Sequence, residues 1–139
     1  MYRKSPAFRL LLLAPGLITV LLSASSRADP QADFLLHCAG CHLADARGVP
    51  PSIPSLRESL GKIVATAEGR NYIVRVPGAT QTPLTDADLA AVMNWVLRTY
   101  NKDTLPADFK PLSADEVARA RKQVLTDPVK MRESLWPDY

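Results

Sequence analysis

Beyond its first 28 residues this chain has no excess of either charge. Four of the 17 basic residues (Arg3, Lys4, Arg9 and Arg27) and none of the 14 acidic ones lie in that leader. Residues 29–139 therefore carry 13 basic against 14 acidic side chains. The overall net charge of +3 is the leader's four basic residues less the one acidic residue in excess beyond it. Nucleic-acid binding by counterion release needs a basic face on the folded domain, and this balance argues against it. The same stretch lacks an apolar run of the roughly 20 residues that cross a bilayer, so no membrane span is expected after residue 28. Repeats and low-complexity tracts are also missing. At 47% hydrophobic, the chain has the composition of one folding domain and not that of a disordered segment. Histidine and cysteine are scarce, with two of each, and of the three methionines one is Met1.

The leader itself, MYRKSPAFRLLLLAPGLITVLLSASSRA, has a basic start and an apolar run from Leu10 to Leu22. It passes through small residues to Ser26-Arg27-Ala28. This is the pattern of a secretory signal peptide, removed after Ala28. Interrupted by Pro15 and Gly16, the run is too short for a membrane anchor. The mature chain is expected to start at Asp29 and to work in an exported, periplasmic setting, where thiols form disulfides or bind something.

The mature chain reads as a small all-α protein. Pro30 to Ala39 suggests a short helix with Phe34 and Leu35 on its apolar side and Cys38 at its end. Leu43 to Pro54 has no periodicity and reads as a loop containing Gly48 and Pro50-Pro51. Ser55-Leu56-Arg57-Glu58 fits a capping box that opens a helical turn or two. Asn71 to Val76 suits either strand or helix, and helix is preferred because no partner strand is visible. Asp86 to Tyr100 is the clearest element: Thr85 and Asp88 cap it, and Leu89, Val92, Met93, Val96, Leu97 and Tyr100 form an apolar stripe. A linker with Pro106 and Pro111 leads to a third capping box, Ser113 to Glu116, and a helix to about Leu125. The final residues, with Pro128, Trp136 and Pro137, are expected to be an extended tail.

Both cysteines and both histidines fall in His37-Cys38-Ala39-Gly40-Cys41-His42. Cys38 to His42 is C-x-x-C-H, the signature of covalent haem attachment. Two thiols three residues apart can each add across one of the haem's two vinyl groups, giving two thioethers. The following imidazole then reaches the iron as the proximal ligand. Small Ala39 and Gly40 let the turn lie close to the porphyrin edge. Three other readings compete. Export permits an ordinary disulfide between Cys38 and Cys41. A redox-active dithiol prefers a βαβ context that is missing here. Zinc sites usually take their ligands from two separated segments.

On these residues the chain resembles the small monohaem class I c-type cytochromes. The resemblance runs to about Tyr100 through CAGCH, RGVPPSIPSL and PLTDADLAAVMNWVL. It implies a cytochrome c-like helical domain over 29–104 around one covalent haem c, and a C-terminal extension with one extra helix over 105–139. It implies cofactor attachment at Cys38 and Cys41, iron ligation by His42, and Pro54 as the residue whose carbonyl orients the imidazole. It also implies a helix crossing that packs Phe34 and Leu35 against the Leu89–Val96 stripe, with the haem enlarging a modest core.

The family usually takes its second axial ligand from a methionine in a Met-Pro pair before the last core helix. The matching stretch here, Val76 to Leu84, begins Val76-Pro77 and contains no methionine. The candidate distal ligand is Met93, although its place in the stripe also suits core packing. Met131 reaches the iron only if the tail folds over the open face of the haem. His37 lies on the attachment side and reads as a surface residue. The expectation is a weak, exchangeable or absent sixth ligand. Arg47, Arg57, Arg70 and Arg75 are candidates for pairing with the haem propionates, against a plain surface role. Trp95 and Tyr72 are candidates for the haem crevice, against a core role. The function implied is an exported electron carrier and not an enzyme, with a dehydrogenase, an oxidase or another cytochrome as redox partner. The alternative is a haem protein whose open distal site binds O₂, CO or NO or reacts with peroxide. Both histidines are spent in one motif, which leaves no evident acid–base group for peroxide chemistry.

Overall fold

A computed structural model describes residues 29–136. The leader expected to direct export lies outside these residues. The first helix, α1 (Pro30–His37), is started by Asp29, whose carboxylate accepts from the Gln31 N–H, and by Pro30 in the first turn. After Cys38 a single helical turn follows, α2 (Ala39–His42). Short α3 (Leu60–Ile63) leads into α4 (Ala67–Arg75), where the Thr66 hydroxyl accepts from the Gly69 N–H at 3.0 Å. Then come α5 (Pro77–Thr80), α6 (Asp86–Tyr100), α7 (Ala114–Arg121) and α8 (Pro128–Leu135). Among the described residues all regular structure is helical, apart from one isolated bridge between Val49 and Ile53.

The long helix α6 is the centre of the packing, with α1 on one side and α7 on another, while α7 also packs on α4. Phe34 is the wedge from α1. It is fully buried, with its ring centroid 5.3 Å from that of Trp95 and 6.4 Å from that of Tyr100. Leu89, Val92, Val96 and Leu97 complete the buried face of α6, and Val117 and Ala120 meet it from α7. Among the described residues Asn101 is the one buried polar side chain. It accepts from the Gly61 N–H at 3.1 Å and donates to the Leu56 carbonyl at 2.8 Å. This amide ties the irregular 55–63 segment to the end of α6.

Four expectations are corrected. Leu35 does not join Phe34 in the core and is 47% exposed. Neighbours on a helix point about 100° apart, so an eight-residue helix with one covered face buries only one of them. Ser55 to Glu58 is not helical. The Ser55 hydroxyl accepts from Arg57, and the Glu58 N–H donates to the Tyr100 carbonyl at 3.0 Å, with Glu58 at φ +63°. The helix after Ser113 stops at Arg121 and does not reach Leu125, because the Gln123 and Val124 carbonyls turn to accept from Arg75 of α4. The supposed tail is helix α8. Asp127 caps it by accepting from the Lys130 N–H at 2.9 Å, and Pro128 occupies its first turn.

Candidate haem site

The two thiols and the imidazole of the motif share one helical turn at the end of α1. Cys38 closes α1 through its N–H to the Phe34 carbonyl, and its own carbonyl accepts from the His42 N–H at 3.0 Å. Both cysteines are free thiols, Cys38 half-buried and Cys41 exposed. His42 is half-buried, and its Nδ1 stands 3.0 Å from the Pro54 carbonyl oxygen. A carbonyl only accepts, so Nδ1 carries the proton and Nε2 keeps a free lone pair. Burial lowers the His42 pKa, and the bond to Pro54 pushes the other way. The neutral imidazole, the form able to bind a metal, is therefore favoured. Burial, with the nearby Asp33 carboxylate, raises the Cys38 thiol pKa.

The approach of Pro54 to His42 depends on Gly48. That residue has φ +63°, and its N–H donates to the His42 carbonyl at 2.8 Å. A Cβ at this position would lie 2.5 Å from the Pro54 oxygen and 2.6 Å from the Ile53 oxygen. Only glycine meets both conditions, a left-handed backbone and a carbonyl pressed against the α-carbon. Leu43 and Ala46 also have positive φ, so the loop after the motif is tightly constrained. Gly48 reads in the sequence merely as a loop residue; its spacing from Pro54 is the signal that such a reading misses.

The donor set fits a covalently held haem. Two free thiols lie one turn apart, an imidazole has its Nδ1 fixed and Nε2 available, and Gly40 has open space where a Cβ would be. Apolar side chains stand exposed on both sides of the motif, Leu36 before it and Leu43 and Val49 after it. Among the described residues no cluster of three or more His, Cys, Asp or Glu could hold a bare metal ion.

The four singled-out arginines divide into two pairs. Arg47 pairs with Asp45, and Arg57 donates to the Asp45 carbonyl at 3.2 Å while lying 5.4 Å from the Tyr100 ring centre. With Ser55 and Glu58 these residues line an open polar hollow on the loop that follows the motif. Arg70 and Arg75 are engaged elsewhere. Arg70 forms a two-pronged pair with Glu116 of α7 at 2.8 Å and also donates to the Lys110 carbonyl, and Arg75 binds the chain after α7. Arg121, not singled out in the sequence, donates to the carbonyls of Thr80, Thr82 and Leu84 and to Asp86. Trp95 is half-buried against Phe34, and Tyr72 is buried. Met93 lies half-buried in the interior of α6, and Val76 joins α4 to α5.

Among known proteins, the chain is similar to a cytochrome c-552 of Thermus thermophilus. The two are 29% identical over 121 aligned residues, covering 74% of this chain and 81% of the relative. Another cytochrome c-552 from the same organism matches at 28% over 113 residues, covering 68% of this chain and 86% of its own. The chain is a distant homologue of cytochrome c-552, a monohaem c-type cytochrome. No family model matches it. The all-helical architecture of the described residues is consistent with the cytochrome c fold. The C-x-x-C-H turn from Cys38 to His42 falls in it at the end of the first helix. No helix among the described residues of this cytochrome homologue is long and apolar enough to cross a membrane.

Proposed function

We propose that this protein is an exported monohaem cytochrome that passes single electrons between redox proteins. Cys38 and Cys41 would hold the haem as thioethers, His42 would bind the iron through Nε2, and the Pro54 carbonyl would fix the plane and tautomer of that ring. The bound group supplies one-electron Fe(III)/Fe(II) cycling. The observation that carries the reading is the 3.0 Å contact between His42 Nδ1 and the Pro54 oxygen, one turn from two free thiols. It supplies what a metal-ligating histidine needs and what a disulfide would not, and among the described residues no cluster of three or more His, Cys, Asp or Glu could hold a bare metal ion. The chain's own part is to orient the ring, to bury its edge and to present the motif at the surface, where Cys41 is exposed. Near-neutral charge beyond the leader suits a partner that docks without strong electrostatic steering, such as an exported dehydrogenase of which this protein is subunit or acceptor.

The test is production in a host that exports and attaches haem. The mature protein should begin at Asp29 and keep one haem after denaturation. It should titrate as a single reversible one-electron couple. Replacing both Cys38 and Cys41 by serine should abolish covalent haem, and its retention in that variant overturns the reading.

A further inference from the structure

We propose that Arg132 of α8 is a positioning residue for His42: by holding the tip of the loop over 48–54, it keeps the Pro54 carbonyl on Nδ1 of that ring. The inference rests on the reading of His42 as an iron ligand and adds a residue of the C-terminal extension that sets how firmly the ring is held. The loop is small and closed. Val49 and Ile53 exchange two backbone hydrogen bonds of 2.9 Å each, which leaves Pro50, Pro51 and Ser52 as an exposed tip. Pro54 follows the bridge directly. Its carbonyl oxygen and that of Ile53 lie 2.5 and 2.6 Å from where a Gly48 β-carbon would be. A closed unit this small does not tilt at its tip without moving Pro54 at its base.

The tip is held from a distant part of the chain. The Arg132 guanidinium donates to the Pro51 carbonyl at 3.3 Å, across a separation of 81 residues. Arg132 is half-buried, one turn after Pro128, whose carbonyl accepts from the Tyr72 hydroxyl of α4, also at 3.3 Å. Burial raises the Tyr72 pKa and the charge of Arg132 opposes the rise, which places the guanidinium near that hydroxyl. Met131, Leu135 and Trp136 pack against the core on either side of Arg132 along the chain. Arg132 therefore stands where α4, α8 and the loop meet, on a helix fixed to the body of the protein. A guanidinium suits the place: its charge-assisted N–H groups have a fixed direction that a lysine ammonium lacks. The consequence reaches His42 through Pro54. Donation from Nδ1 to a carbonyl raises the basicity of the ring toward a metal. A looser loop weakens that bond and makes the imidazole a poorer donor to ferric iron.

The test uses the full-length holoprotein, with haem retained after denaturation scored first. Arg132→Leu removes every donor while keeping helix propensity. Lys130→Leu removes the same charge from an exposed position on the same helix. In the ferrous protein under CO, solvent exchange of the His42 Nδ1 proton should be at least about threefold faster in Arg132→Leu than in Lys130→Leu, the factor expected for partial loss of one hydrogen bond. The reduction potential separates positioning from charge. Loss of a positive charge favours Fe(III) and lowers the potential, whereas a weaker Pro54 bond favours Fe(II) and raises it. Arg132→Leu should lie above Lys130→Leu by about 28 mV, a threefold shift at roughly 59 mV per tenfold. Arg132→Lys keeps the charge and one donor group. Its Nδ1 exchange should fall between wild type and Arg132→Leu, and it carries the comparison if the leucine variant does not fold. A wild type without covalent haem overturns the attachment reading alone, because exchange of the Val49 and Ile53 amides still scores the tether. Equal Nδ1 exchange in the two leucine variants, a potential no higher in Arg132→Leu, or unaltered Val49 and Ile53 exchange would each overturn the proposal.

Discussion

Replacing Asn101 by alanine should cost about 3 kcal/mol of stability, and the structure gives the terms. The amide is 1% exposed. Its oxygen is the acceptor for the Gly61 N–H at 3.1 Å, and its nitrogen the donor to the Leu56 carbonyl at 2.8 Å and, more weakly, to the Val96 carbonyl at 3.4 Å. Truncation strands the buried Gly61 donor and the part-buried Leu56 acceptor, at roughly 1–3 kcal/mol each. The Val96 carbonyl, whose contact is the longest, adds little. Against a total stability of about 5–15 kcal/mol this is a large fraction. The assay is urea unfolding of the holoprotein followed by far-UV circular dichroism, with the midpoint falling and the slope unchanged. Asn101→Asp is the control. A carboxylate accepts from Gly61 but cannot donate to Leu56 unless protonated, so folding raises its pKa. Stability gained by protonation is full below the unfolded carboxyl's pKa and is lost as pH rises through the raised folded value. The aspartate variant should therefore approach wild type in acid and fall away toward neutrality. A loss below about 1 kcal/mol for Asn101→Ala, or an aspartate deficit independent of pH, would refute the argument that this amide pins the 55–63 segment.

Two further outcomes follow from the same geometry. The Arg70 guanidinium bonds hold the Glu116 carboxyl below the usual carboxylate range; its stabilisation is present above the unfolded pKa and lost as pH falls through the lowered folded value. Glu116→Gln should thus cost about 1–2 kcal/mol at neutral pH, with the gap to wild type closing in acid when urea midpoints are compared. Gly48→Ala places a β-carbon at φ +63° and 2.5 Å from the Pro54 oxygen. It should lose at least about 2 kcal/mol and speed solvent exchange of the His42 Nδ1 proton in the ferrous protein. Unchanged exchange would mean that Gly48 does not govern the Pro54 contact.

How far the sequence can be read varies with how local each cause is. The stripe from Leu89 to Tyr100, started by Thr85, forms α6 with its bounds as expected, because capping and 3.6-residue periodicity act within one helix. Thr66 and Ser113 work the same way for α4 and α7. The box at Ser55 fails because the Glu58 N–H finds a partner 42 residues away, in Tyr100. The Asp127-Pro128 start of α8 is visible in the sequence, yet prolines near a terminus also suit extended chain, and so the segment reads as a tail. Arg70 and Arg75 read as surface charges or propionate partners. Their actual partners, Glu116 and the carbonyls after α7, are set by a helix packing that no local pattern encodes.

By itself, then, the sequence determined the chemistry of the attachment turn: two thiols and an imidazole in five residues, in an order that spacing alone makes meaningful. It also determined where α6 and α7 start, by signals that are short in range. Tertiary structure alone decided that a glycine six residues after His42 lets the Pro54 carbonyl close on that ring. It decided that three arginines fasten the C-terminal segment to α4 and to the stretch before α6. It decided that α8 returns to bridge Tyr72 and Pro51 with Met131 facing inward. Such contacts arise from the summed burial of surfaces distant in the chain, and a single hydrogen bond among them leaves no periodic trace in the order of residues.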